Sequence, residues 1–151
     1  MAGHVLELTP VTVGLHDMLR NALGIDYKVE VGEAPRDAQI VDNQLVYPYA
    51  VIYPFPTFLV YGDLAHPDSG GSIAYQITSV GRTDDSAGIM ADRVRRMILE
   101  RTASGSFVNP ISAGGSMKVI DRRLGQAGAL TATAGLWSGV DLYYLEVQAY
   151  A

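Results

Sequence analysis

The sequence predicts an α+β fold: a mixed, mainly antiparallel sheet with two helices packed on one face. Three observations carry this. Only two stretches hold a helical apolar period, and each is one-sided. The β-prone segments follow one another through turn-rich connectors instead of alternating with helices, which points away from a parallel βαβ arrangement. From Gly71 to Arg101 one strand feeds directly into one helix, so the helix has to lay its apolar stripe on a sheet containing that strand.

That unit reads as follows. Ile73, Tyr75 and Ile77 alternate with Ala74, Gln76 and Thr78, a period of two with one apolar face. Gly81 and Arg82 form a corner, and Thr83 stands where a helix N-cap belongs. Asp84 and Asp85 in the first turn suit the positive end of the helix dipole. Ala87, Met90, Ala91, Val94, Met97 and Ile98 then form the stripe. Asp92 with Arg96, and Arg96 with Glu100, are i,i+4 pairs of opposite charge on the other side.

Upstream, residues 1–8 read as an extended arm. Thr9 caps a first helix with Pro10 at its opening position, where a missing N–H costs nothing. Val11, Leu15, Met18, Leu19 and Ala22 make its stripe, and Gly24 ends it. His16 and Asp17 lie off the stripe and read as solvated. Tyr27–Val31 is a short strand. The stretch 32–44 has no period, contains Pro35 and is long for a connector, so it reads as a functional or mobile loop. Leu45–Tyr53 is β-prone, with Tyr47, Tyr49, Val51 and Tyr53 on one face. Pro48, Pro54 and Pro56 place it at a sheet edge, or bend it out after Tyr53. Phe58–Tyr61 stays extended, and Gly62–Gly71 reads as a hairpin turn.

Downstream, Ser104–Gly115 is rich in Gly and Ser, and Met117–Arg122 is a short strand. Gly125–Gly139 is built from small residues around Leu130, Leu136 and Trp137, and reads as a loop ordered against a neighbour. Val140–Tyr150 is the closing strand, with Tyr143, Leu145, Val147 and Ala149 inward. There is no internal repeat and no composition break. The 151 residues are expected to be one domain, with 32–44 and 104–139 as long interaction loops.

Composition narrows the function classes. No cysteine is present, which excludes disulfides and thiolate metal sites. Hydrophobic residues are 48% and charged residues 18%, apolar for a small monomer and in keeping with area hidden in an oligomer. The net charge of −5 argues against a protein that grips nucleic acid, though not against one that DNA passes through. No apolar run approaches the roughly 18–20 residues of a membrane span, and the first ten residues lack the pattern of a signal peptide.

No catalytic set emerges. Asp68-Ser69-Gly70-Gly71 looks like the surroundings of a serine nucleophile, but four turn residues without a base make a turn. His4, His16 and His66 are scattered, and Asp63, His66 and Asp68 read as a turn before a cation site. No phosphate-cradling glycine motif occurs. The expectation is no catalytic residues, no cofactor and no metal. The arginines Arg93, Arg95, Arg96 and Arg101 read either as a solvated helix face or as a partner surface, and Arg122 and Arg123 are equally open. Of these, Arg93, Arg96, Arg122 and Arg123, together with Trp137, are the candidates for a subunit or partner interface.

The segment Tyr75–Leu99 resembles the tail terminator and tail-completion proteins of long-tailed bacteriophages, especially those infecting actinobacteria. The resemblance lies in a strand ending Val80-Gly81-Arg82, a polar N-cap, and Ala91-Asp92-Arg93-Val94 at mid-helix. It covers about 25 residues in sequence and most of the chain in element order. It implies a non-enzymatic virion protein forming a ring, usually of six copies, on the last ring of the tail tube. Such a ring ends tail polymerisation, meets the head connector, and lets DNA cross its lumen without specific binding. The implied partners are sister copies, the tail tube protein and a connector or stopper. The implied location is the head-proximal end of the tail, reached from the host cytoplasm. The alternatives are another connector subunit, stopper or adaptor, or a small ligand-binding domain or enzyme.

Overall fold

The computed structural model describes residues 6–38, 40–41, 44–45, 47–55, 59–61, 70–114 and 117–149. The elements are α1 (Leu8–Leu23), β1 (Lys28–Val31), β2 (Ile40–Val41), β3 (Gln44–Leu45), β4 (Tyr49–Pro54), β5 (Leu59–Tyr61), β6 (Gly70–Gly81), α2 (Asp84–Leu99), β7 (Met117–Ala127), β8 (Thr131–Thr133) and β9 (Leu136–Ala149). The main sheet runs β1-β4-β6-β9-β7, with β5 also on β6 and β8 also on β9. Among the described residues, only β1 and β4 pair in parallel; every other pairing is antiparallel. The fold is therefore α+β with a mixed, mostly antiparallel sheet and two helices.

The helix-covered face is built from alternate residues. Ala50 and Ile52 of β4, Ile73, Tyr75 and Ile77 of β6, and Tyr143, Leu145 and Val147 of β9 are sealed. Register places Ile52 beside Ile77, Tyr75 beside Tyr143, and Ile73 beside Leu145. Val11, Leu15 and Leu19 of α1 and Met90, Val94 and Ile98 of α2 complete this core. Both helical stripes thus fall where their period placed them, and β9 turns its predicted residues inward.

The cap of α2 also forms: the Ser86 amide donates to Thr83 Oγ1 at 3.1 Å. That of α1 differs. Its N-cap is Glu7, with no side-chain bond, and Thr9 lies inside the first turn. The cause is tertiary. Leu6 is buried, Leu8 packs on the core, and the Glu7 amide donates to Met117 Sδ at 3.3 Å, so burial draws the helix start back. Leu8 is therefore helical, while Leu6 and Glu7 precede the helix with Glu7 extended and Leu6 packed on the core; residues 1–5 lie outside the described set.

The segment Leu45–Tyr53 is two strands. β3 pairs with β2 as a small hairpin, which puts structure inside the expected 32–44 loop. β4 lies between β1 and β6, not at an edge. Pro48 precedes β4 and Pro54 is its last residue, so neither interrupts the ladder internally. The tract 62–69, read as a hairpin turn, lies outside the described residues, though the strands flanking it do pair antiparallel.

The largest difference is at 125–139. Instead of a loop, β7 runs on to Ala127, and β8 and β9 form a hairpin closed by Ala134 and Gly135. The small residues allow strands to approach. A Cβ at Gly125 would stand 2.2 Å from the Tyr144 ring, and one at Gly128 would stand 2.1 Å from the Val140 carbonyl oxygen. Two register shifts, at Val119/Asp121 and Leu124/Gln126, bulge the outer strand.

Candidate interaction surface

The strand–helix unit positions two arginine-centred clusters. The first lies at mid-helix. Arg95 reaches from α2 to Asp141 on β9, its Nε donating to Oδ2 at 2.9 Å and its Nη2 to Oδ1 at 3.2 Å. Asp141 also accepts from the Gly128 amide at 3.2 Å. With Asp141 only 3% exposed, this forked pair ties the helix, the central strand and the end of β7 together. Its carboxylate holds the Arg95 pKa above the ordinary guanidinium value. Nearby, the buried Tyr143 hydroxyl has no hydrogen-bond partner among the described residues, and burial, then the charge of Asp141, raise its pKa.

A second cluster closes the C-terminal end of α2. Arg122 points inward from β7, 6% exposed, and its Nη1 donates to the Ile98 carbonyl at 3.1 Å. Its guanidinium stacks on Phe107 at 4.3 Å from the ring centre, and Arg101 stacks on the same ring at 4.0 Å. Arg101 is paired with Asp121 at 2.8 Å. Burial, then Arg101, lower the pKa of Arg122 to about 10.

The five interface candidates do not converge. Arg93 is exposed and stacks on Tyr27, 4.3 Å from its ring centre, while Tyr27 meets Tyr47 edge-on at 5.8 Å. Arg96 is exposed and pairs with Glu100 at 3.3 Å. The Asp92–Arg96 pair read from the sequence is replaced by Asp92–Arg95 at 3.1 Å, because Arg95 is held by Asp141 on the Asp92 side. Arg123 stacks on Tyr144, on the sheet face away from the helices. Trp137 is half-buried and registers with Gly81. Nor is His16 solvated: its Nε2 lies 2.9 Å from the Val29 carbonyl oxygen and 3.6 Å from Glu30.

Sequence reasoning missed Asp141 as a keystone, since its partner is 46 residues away. It also missed the sheet face opposite the helices, where Tyr53, Val140 and Ile120 are exposed on the face that carries Tyr144. The alternation of Tyr49, Val51 and Tyr53 marked that face, but not which side the helices take.

A surface cavity of about 370 Å³ lies at the end of α1, lined by Arg20, Tyr27, Lys28, Glu30 and Asp37 among others. Lys28 and Asp37 pair there at 3.4 Å, and among the described residues no buried polar atom lacking a partner lines it. Among the described residues, no three His, Asp or Glu side chains gather as metal ligands, and no helix is long and apolar enough to cross a membrane. His4, Asp63, His66 and Asp68 lie outside the described residues.

No family model matches the sequence, and no curated protein sequence matches it. Solved structures do share the fold. A chain from the virion of a native gene transfer agent particle superposes with a TM-score of 0.57 at 12% identity, over 92% of this chain and 95% of that one. A second solved structure matches with a TM-score of 0.60 at 15% identity, over 97% of this chain and 99% of the other.

Proposed function

We propose that this chain is a structural virion protein, and specifically the ring-forming terminator of a phage-type tail. The observation that carries the reading is the end-to-end match to a chain of a gene transfer agent virion, which leaves little of either chain over. Three features of this chain support it. Among the described residues, Arg95 with Asp141 at mid-helix and Arg122 at the C-terminal end of α2 serve as packing clamps between helix and sheet. The sheet face away from the helices keeps exposed apolar groups of the kind a neighbouring subunit covers. The acidic balance suits a lumen through which DNA slides, since phosphate attachment needs Lys and Arg.

In this reading the protein closes a ring, expected to hold six copies, on the last ring of the tail tube and presents its other surface to the connector. Residues 32–44 and 104–139 lie at the contacts between copies or with the tube. Sedimentation velocity of the purified chain, alone and with tail tubes, tests the reading. Ring-sized particles, or rings formed on tube ends with the end of tube growth, are expected. A chain that stays monomeric at every concentration and ignores tubes overturns it. Hydrogen exchange that is equally fast in 32–44 and 104–139 before and after assembly would remove the contact assignment alone.

A further inference from the structure

The C-terminal end of α2 sits over a guanidinium short of acceptors. Arg122 satisfies one of the carbonyls that a helix end leaves open, at Ile98. Its Nε is buried with no hydrogen-bond partner among the described residues. No hydrogen bond reaches Nη2 from the described residues, whereas Arg101 beside it has both the Gly105 carbonyl oxygen and Asp121, each at 2.8 Å. Among the described residues, Arg122 pairs with no carboxylate. The helix dipole offsets part of its charge, but a cation buried at 94% is costly without a counter-ion. Phe107 lies against the guanidinium, and a planar guanidinium suits a two-oxygen acceptor.

Counter-charge is present at the far end of the same helix. Asp84 and Asp85 are exposed, and neither pairs with a cation among the described residues. α2 has 16 residues, about 24 Å of helix at 1.5 Å per residue. The acidic end of one copy therefore cannot reach its own Arg122, so a carboxylate from that end can meet this guanidinium only between copies. Such a head-to-tail contact is heterologous, the kind that generates closed rings. We propose that Arg122, with Arg101 and Phe107, is a receptor for one carboxylate of a neighbouring copy, and that Asp84 or Asp85 of that copy supplies it. This rests on the ring reading above. A net charge of −5 disfavours a nucleic-acid phosphate as the occupant.

The test uses two variants of the full chain. Asp84→Asn with Asp85→Asn removes the donor end, and Arg122→Met removes the receptor. Each alone is expected to weaken self-association at least tenfold in sedimentation. Mixed one to one, they keep one intact contact and give a heterodimer without rings. The surface Asp variant retains the core, so the proposal stays testable even if Arg122→Met folds poorly. Rings that form normally from the Asp variant overturn this contact while leaving the ring reading in place. A wild-type chain that never self-associates overturns both. Retention on duplex DNA lost in Arg122→Met, with self-association unchanged, would assign the site to phosphate and overturn the contact.

Discussion

At the scale of single residues, burial decides which charges matter. Asp141 accepts three hydrogen bonds and is sealed under α2, whereas its counterpart Asp92 pairs with the same arginine at the surface. Removing Asp141 leaves Arg95, itself partly solvated, without its principal acceptor and the Gly128 amide unmet. Asp141→Ala should therefore cost about 2–4 kcal/mol in urea denaturation. Asp92→Ala should change stability by less than about 0.5 kcal/mol, the range of exposed pairs. Ala134 is the other residue with a stated cost. It and Gly135 both have positive φ, 52° and 81°, in a two-residue hairpin turn. An L-residue with a Cβ is strained there, and Asn tolerates it better. Ala134→Asn should raise stability by about 1 kcal/mol, read as a higher midpoint in thermal unfolding with no change in the β9 pairing.

At the scale of elements, legibility followed the strength of the local period. The β6–α2 unit could be read because its strand alternates, its cap is a threonine and its helix has one apolar side. The β7–β9 hairpin could not, because Gly125, Gly128 and Gly139 carry no period; the usable signals were Thr131, Thr133 and the Ala134-Gly135 turn. The start of α1 was misplaced because Leu6 and Leu8 are helical or buried through contacts that no local signal encodes. Among the arginines, Arg93 and Arg95 look alike in sequence, and only the fold brings Arg95 to Asp141 while leaving Arg93 on Tyr27. A similar contest sets the next prediction. Gly14 lies inside α1, where alanine would be favoured by about 1 kcal/mol from helix propensity alone. Yet a Cβ there would stand 2.0 Å from the Ser112 carbonyl oxygen, because the chain after α2 crosses the helix at that point. The clash is with backbone and should win. Gly14→Ala should lower stability by about 1–3 kcal/mol, seen as a lower unfolding midpoint and faster exchange of the amides around Ile111 and Ala113.

At the scale of the whole molecule, the two central strands join through a pair of buried phenols. Tyr75 of β6 and Tyr143 of β9 are register partners, and both are fully sealed. Burial pushes Tyr75 up to about 12 from 10.0, a shift only partly offset by the Thr12 hydroxyl 2.8 Å away. Tyr143 is raised as well, by burial first and by Asp141 second. In the unfolded chain both phenols ionise near pH 10. A folded pKa above the unfolded one means the native state binds these protons more tightly. The contribution of Tyr75 is therefore complete below about pH 10 and is lost as pH climbs through about 12, and that of Tyr143 has the same sign. For Tyr75 alone a two-unit shift corresponds to roughly 2–3 kcal/mol. Because both hydroxyls sit between the sheet and the helices, ionising them requires the layers to part, so alkaline unfolding should be global. Tyrosinate absorbance should rise first from the solvent-facing tyrosines. A second rise should coincide with loss of far-ultraviolet circular dichroism between about pH 10 and 12. Tyr75→Phe, which leaves the ring in place, should shift that transition to higher pH. Complete tyrosine ionisation near pH 10 with the circular dichroism intact would show that the pair is reached by solvent without unfolding, and that this core is not the single cooperative block its register implies.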